Sequence, residues 1–282
     1  MTAKQLFGLP DDAGLHLLPA SALESNKSQQ QVVQAVSRGE PVLVFFQEKL
    51  GGEISIPATS RSPEIAFDIT LAEILKEGSR HKVGRFGIVE LQTMDVHGTY
   101  RNAVKNAKDA LRLHGRRFYQ TLRANPLWLS ERIEGPNKAN VFKRTFYQLV
   151  FKFRLGSAPH CAGCMLGIPT AVWDSWMPHL GMPRLAATGQ ESYALAAPGE
   201  VFGRRGLAET AARIYVFEPD ADSRQSPNPL TVRKIITTSA DALIHHALRM
   251  APEAVVGRGG LVDNLPERIS ARLRQWWPGF AP

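Results

Sequence analysis

The apolar positions of this chain recur in two rhythms. Helical spacing marks QQQVVQAVSRGE (Gln29 to Glu40), where Val32, Val33 and Val36 recur and Gly39 stops the run. PVLVFFQ (Pro41 to Gln47) follows as a short apolar block and reads as a buried strand. In EIAFDITL (Glu64 to Leu71) the rhythm becomes strict alternation. Ile65, Phe67, Ile69 and Leu71 share one face, and Glu64, Ala66, Asp68 and Thr70 share the other. FGIVELQ (Phe86 to Gln92) repeats it, with Val89 and Leu91 pointing opposite to Glu90 and Gln92. TYRNAVKNAKDALRLHG then predicts a helix from about Thr99 to His114, stopped by Gly115, with Ala103, Val104, Ala107 and Leu111 as the face that packs inward. A second long helix is predicted around Ala139 to Phe153, and a buried strand at CMLGIP (Cys164 to Pro169).

After Trp176 the rhythm is fainter. RIYVFEP (Arg213 to Pro219) and VRKIITT (Val232 to Thr238) read as strands, and SADALIHHALRM (Ser239 to Met250) as a capped helix. LPERISARLRQWW (Leu265 to Trp277) opens with Pro in its first turn and predicts a terminal helix. GEVFGRRGLAE (Gly199 to Glu209) and SRQSPNP (Ser223 to Pro229) are loops by their Gly and Pro content. With no repeat or clear linker, the expectation is a single domain over 1–282, with a core at about 27–180 and a C-terminal elaboration at about 181–282. Intermingled strands and helices predict an α/β or α+β fold.

Composition narrows the class. At 282 residues and 44% hydrophobic, the chain can fill a real core, which argues against a disordered tail protein. No stretch approaches the roughly 18 consecutive apolar residues of a membrane span. MTAKQLFGLPDD lacks the pattern of an export signal, and two cysteines make no disulfide framework, so a cytoplasmic location is expected.

Charge changes the picture more. Between Arg101 and Arg154 lie 13 Lys and Arg against three acids (Asp109, Glu131, Glu134), while the other 228 residues are slightly negative. More than the whole +8 excess sits in about a fifth of the chain, the footprint of a phosphate-binding surface. On the helix within that stretch, Arg101, Lys105, Lys108 and Arg112 fall within about 60° of one another. Such a stripe is either a solvated face or a nucleic-acid contact, and the surrounding basic block, with Arg116, Arg117, Lys143, Arg144, Lys152 and Arg154, favours the second.

Asp68 and Glu90 are placed by the alternation mid-strand on neighbouring strands, with Gln92 on the same face as Glu90. A carboxylate on a half-buried sheet is costly unless exposed, paired or bound to metal. Two converging hard oxygen donors suit Mg²⁺, which takes few protein ligands and keeps its waters. Ordinary solvent-facing acids remain the alternative at this point.

These residues also carry a resemblance. Asp68, a gap of 22 positions, then Glu90-Leu91-Gln92 resembles the Asp…Glu-x-Lys nuclease signature, with Gln in the Lys place. Around it, VELQTMDVHGTYRNAVKNAKDAL (Val89 to Leu111), EGPNKANVFKRTFYQLVFKF (Glu134 to Phe153) and CAGCMLGIPTAVWDSW (Cys161 to Trp176) resemble, in that order, the NotI-type restriction endonucleases. The resemblance covers about Glu53 to Trp176. It implies a PD-(D/E)XK core, a mixed sheet flanked by helices, here with added C-terminal strands and helices. It further implies Mg²⁺-dependent cleavage of double-stranded DNA as a homodimer, beside a partner methyltransferase. Asp68 and Glu90 match the metal-binding acids, Gln92 the variant third position, and Glu53 a further active-site acid, though Glu53 reads equally as a turn residue after Gly51-Gly52. By the same resemblance, the metal would activate a water for in-line attack, releasing the 3′ oxygen and leaving a 5′ phosphate.

The chain departs from the family in two places. Phe67 stands where the signature has Pro, and Cys161 and Cys164 alone cannot build the family's four-cysteine metal site, so both are expected as reduced core thiols. Arg204 and Arg205, in a Gly-rich loop, are candidates for DNA contact beside a surface-loop reading. His97 reads as a turn residue, adjacent His245 and His246 point to different faces, and the tryptophans read as core or interface. Two rival functions stay open: a DNA-binding protein that has lost cleavage, and a nuclease specific for damaged, nicked or single-stranded nucleic acid.

Overall fold

A computed structural model of the chain describes residues 2–92, 100–130, 138–202, 212–220, 222–223, 225, 228–257 and 261–277. The N-terminal part runs α1 (Thr2–Phe7), β1 (His16–Pro19), α2 (Asn26–Ser37), β2 (Val42–Phe46), β3 (Ile54–Ile56), β4 (Ile65–Phe67), β5 (Ile69–Glu77) and β6 (Arg80–Leu91). A helical crossover follows, α3 (Tyr100–His114), α4 (Phe118–Ala124), α5 (Leu127–Ser130) and α6 (Lys138–Leu155), leading to β7 (Cys161–Pro169) and α7 (Thr170–Trp176). The rest is β8 (Ala186–Gly189), β9 (Ser192–Ala194), β10 (Ala212–Pro219), β11 (Leu230–Thr238), α8 (Ala240–His245), α9 (Ala251–Val256) and α10 (Leu265–Trp276).

Nine strands form one mixed sheet in the order β1-β2-β5-β6-β7-β10-β11-β9-β8, and β3 and β4 make a separate two-stranded ribbon. β2, β5 and β6 run as antiparallel neighbours, whereas β6, β7 and β10 are parallel. Parallel neighbours cannot be joined by a tight hairpin. The α3–α6 segment is therefore the crossover from β6 to β7, and its last helix lies back over the sheet. β10 and β11 continue the same sheet as β7.

Helices cover the sheet unequally. The larger core gathers Ile88, Leu166, Ile168, Ile214 and Ile236 from the sheet against Phe142, Leu149, Phe153, Val172, Trp173, Trp176 and Leu243 from α6, α7 and α8. Full burial of each such side chain is worth about 1.5–3 kcal/mol. On the opposite face α1 lays Leu6 and Phe7 against Leu43, Leu71, Met165 and Tyr215, whereas α2 packs Val32 and Ala35 on Val42, which alternates with Leu43 and so points to the other side of β2. Gly39 takes a left-handed φ of 74° behind α2, as a helix stop requires, and the side chain of Ser239 caps α8 by accepting the Ala242 N–H at 2.9 Å.

The helix predicted from about Thr99 is α3, and Gly115 ends it with a φ of 49°. Its apolar face does not pack inward as expected. Val104 is 49% and Leu111 52% exposed, and among the residues whose side chains are described only Ala110 is buried. The physical reason is that α3 packs against α4, α5 and the turn after it rather than against the sheet.

Candidate active site

β4 and β5 would be one strand but for Asp68. Residues before it pair with β3, and residues after it join β2 and β6 in the main sheet. The alternation predicts a single strand with Asp68 at its middle; the change of partner instead leaves Asp68 at a break, where its side chain can turn toward β6. Its Oδ2 accepts the N–H of Leu91 at 2.8 Å, and its own N–H donates to Oε1 of Glu90 at 3.3 Å. The two acids, distant in sequence, are thus interlocked through each other's backbone.

Glu90 is the penultimate residue of β6, not a mid-strand one, and its face is not the solvated half of the sheet. It is only 6% exposed and shares its side with Ile88, which belongs to the larger core, while Leu91 on the opposite side is 51% exposed. A carboxylate so placed needs a partner. Lys152 of α6 supplies it, with Nζ 2.5 Å from Oε2 at 5% exposure, and the same ammonium lies 6.0 Å from the centroid of the Phe67 ring. Burial pushes the Glu90 carboxyl up to about 7, against the downward pull of Lys152 and with a smaller push from Asp68.

Sequence reasoning counts Lys152 with the basic block that would face nucleic acid. The structure instead buries it against Glu90, which makes it a site residue that reasoning did not recognise as one. A signal was present: Val141, Thr145, Leu149 and Lys152 recur at helical spacing, so this lysine falls on the side of α6 that carries the apolar Val141 and Leu149.

Gln92 lies just past β6, where its N–H donates to the carbonyl of Gly167 at 3.0 Å. With Glu90, Thr145, Gln148 and Lys152 it lines a cavity of about 20 Å³, room for about one water. Glu53 precedes β3. Because Ile54 pairs with Phe67, Glu53 falls one register step beyond the ribbon, level with Asp68. It is exposed, and no hydrogen bond or ion pair joins it to the acid pair among the described residues.

A divalent ion of the Mg²⁺ kind would find one open carboxylate donor here. Oδ1 of Asp68 accepts no hydrogen bond among the described residues, whereas Oε1 of Glu90 accepts the Asp68 N–H and Oε2 meets the Lys152 ammonium, so Glu90 could bind an ion only by giving up one of those partners. No group of three or more His, Cys, Asp or Glu converges among those residues, so an ion here would complete its shell with water or substrate oxygens.

Lys105, Lys108 and Arg112 project from α3 as an exposed stripe, Arg112 with an ion pair to Asp109 at 3.6 Å. The packing partners of α3 are α4 and α5, and among the described residues no ion pair joins this stripe to the acids. Arg101 contributes backbone to α3, but its side chain, together with Arg204, Arg205 and His97, lies outside the described residues. Cys161 and Cys164 are free thiols. Burial pushes both upward, Cys164 the more strongly, which keeps them protonated. Trp173 and Trp176 are core residues, and no described helix is long and apolar enough to cross a membrane.

No family model matches the chain, and no curated protein matches it at a significant level.

Proposed function

We propose that the chain is a Mg²⁺-dependent endonuclease that hydrolyses phosphodiester bonds of double-stranded DNA, a restriction-type enzyme on a PD-(D/E)XK core of the NotI kind. The observation that carries this reading is the interlocked pair Asp68 and Glu90, brought together from adjacent antiparallel strands at a break in one of them. The order of elements supports it: a helix (α2), the antiparallel run β2-β5-β6, a covering helix (α6) and the parallel strand β7.

In this reading Asp68 and Glu90 hold the ion. When bound, Mg²⁺ supplies positive charge to a scissile phosphate and acidity to a water. Lys152 fixes Glu90 by occupying one of its oxygens, and the Asp68 N–H fixes the other. Gln92 orients water or phosphate by hydrogen bonding alone, since an amide brings no charge. The exposed cations of α3, with Arg101, Arg204 and Arg205 as further candidates, bind the DNA backbone, and Glu53 stands by as a third acid. A homodimer follows from a palindromic site read by a two-fold protein, with a companion methyltransferase protecting the same site.

One assay tests the reading: purified protein is incubated with mixed-sequence duplex DNA with and without Mg²⁺, and its mass is measured by sedimentation. Discrete fragments that require Mg²⁺ are expected. Shifted but intact DNA would favour a binding protein without cleavage, a reading that the occupied oxygens of Glu90 and the neutral Gln92 also fit. Smears or single-strand cuts would favour a structure-specific nuclease.

A further inference from the structure

Both oxygens of Glu90 are engaged inside the protein, and one of them by a cation, the Lys152 ammonium. Of the three donors on that ammonium only one is used among the described residues, although Lys152 is buried. It is therefore held by its carboxylate rather than by a full shell of acceptors. The next acceptor lies one helical turn away. Gln148 precedes Lys152 by four residues on α6, and long helical side chains lean toward the N-terminal turn, which carries the lysine arm toward that amide. Both residues line the cavity of about 20 Å³, which reaches from the buried lysine to the exposed Gln148. The Gln148 side chain makes no hydrogen bond among the described residues. Thr145 borders the same cavity, but its hydroxyl turns back onto the helix and donates to the Val141 carbonyl at 2.7 Å.

We infer that Lys152 is an exchangeable cation. It holds Oε2 of Glu90 until a divalent ion binds the acid pair, then yields that oxygen and swings within the cavity to the amide oxygen of Gln148. Breaking a buried pair outright strands a charge, but in this exchange each charge gains a new partner, the ion for Glu90 and the amide for Lys152. The charge count favours keeping the ammonium close. Two carboxylates and a divalent ion are neutral together, so an arriving phosphodiester adds an unbalanced negative charge; with the ammonium retained, the set balances. Lys152 is thus a positioning residue. It orders Glu90 before the exchange, and afterwards it supplies the positive charge that the neutral Gln92 cannot. The inference rests on the endonuclease reading and deepens it, because it names how the ion site is loaded.

The test is acetylation of the full chain by an N-hydroxysuccinimide ester, with and without saturating Mg²⁺, read lysine by lysine in a mass spectrometer. Exposed Lys27 and Lys143 are controls and should react alike in both conditions. Lys152 is expected to be protected without Mg²⁺ and to react at least about tenfold faster with it, because modification follows the population of the reachable ammonium. An ion that only tightened the fold would slow that reaction instead. Gln148→Leu, at an exposed position, should leave melting without Mg²⁺ unchanged. It should raise the Mg²⁺ concentration for half of the melting shift about tenfold, the worth of one hydrogen bond to a charged group. Mg²⁺ that raises the melting temperature while Lys152 stays protected, or parental Mg²⁺ affinity in Gln148→Leu, overturns the exchange and leaves the endonuclease reading standing. A parent chain whose melting ignores Mg²⁺ and that leaves DNA uncut overturns both together.

Discussion

Lys152 meets Glu90 with Nζ 2.5 Å from Oε2, and both side chains are shut away from solvent between α6 and the end of β6. Removing one member of such a pair strands the other. Lys152→Met is therefore expected to lower stability by about 3–5 kcal/mol at pH 8. At pH 5 the deficit should shrink, because the Glu90 carboxyl, already raised to about 7, becomes protonated and no longer needs a cation. Urea denaturation at the two pH values measures this, and the double variant Lys152→Met/Glu90→Gln should regain most of the loss. A deficit independent of pH would show that the lysine contributes packing alone.

Asp68 works through a different balance. Its Oδ2 accepts the Leu91 N–H, a task that the amide oxygen introduced by Asp68→Asn can also perform. The substitution should leave stability within about 0.5 kcal/mol of the parent, as surface changes usually do. Cleavage of duplex DNA should fall by about 10³-fold or more, the scale on which an enzyme loses rate when a group acting on the transition state is removed. Parallel melting curves and cleavage time courses decide it; near-parental cutting would remove Asp68 from the site.

Periodicity locates much of the sheet because its strands are short apolar runs set off by turns: β2, β7, β10 and β11 overlap runs recognised in the chain, and β6 does so over its second half, its polar start at Arg80–Arg85 carrying no such pattern. It does not find α1, β1 or β3, whose few residues carry too little pattern and are held by tertiary contacts, as when Arg213 and Tyr215 bond to Gln5 from across the chain. Faces are harder than elements. Alternation separates two sides of a strand without saying which is deeper, so it leaves Glu90 on a half-solvated sheet although α6 covers that side. Asp68 and Glu90 are legible as a pair because their strands are consecutive and antiparallel. Lys152 is not, because its partner lies 62 residues away and only the crossover brings it back.

The α3 stripe gives a prediction of another kind. Lys105 and Lys108 are exposed and project from a helix that packs on α4 and α5, so in the endonuclease reading proposed above they would serve DNA binding through their charge and take no part in the chemistry. Lys105→Ala and Lys108→Ala should each weaken duplex binding on all sequences alike and reduce the salt slope by about one for each phosphate no longer neutralised. Once DNA is saturated, the cleavage rate should be unchanged. Affinity measured from low to moderate salt, beside single-turnover cutting, tests both halves. A changed sequence preference would instead assign these lysines to base reading.

The raised Glu90 carboxyl also fixes the sign of a pH dependence. Its ordinary value is 4.5, and burial lifts it to about 7 in the folded chain. Between those values the folded protein holds a proton that the unfolded chain has released. Its contribution to stability is therefore fully present below 4.5, declines as pH rises, and is lost above about 7. A divalent ion requires the ionised carboxylate, so its binding runs the other way, strong at pH 8 and weakening as the proton returns. Added Mg²⁺ should raise the melting temperature at pH 8, and the concentration for half effect should increase by about tenfold per unit well below pH 7, as release of one proton demands. Thermal melts with Mg²⁺ titrations at pH 6, 7 and 8 measure it. Glu90→Gln should abolish the Mg²⁺ effect at every pH, since the titrating ligand is gone. A Mg²⁺ stabilisation that is equal across this range, or survives in Glu90→Gln, would place the ion away from this carboxylate.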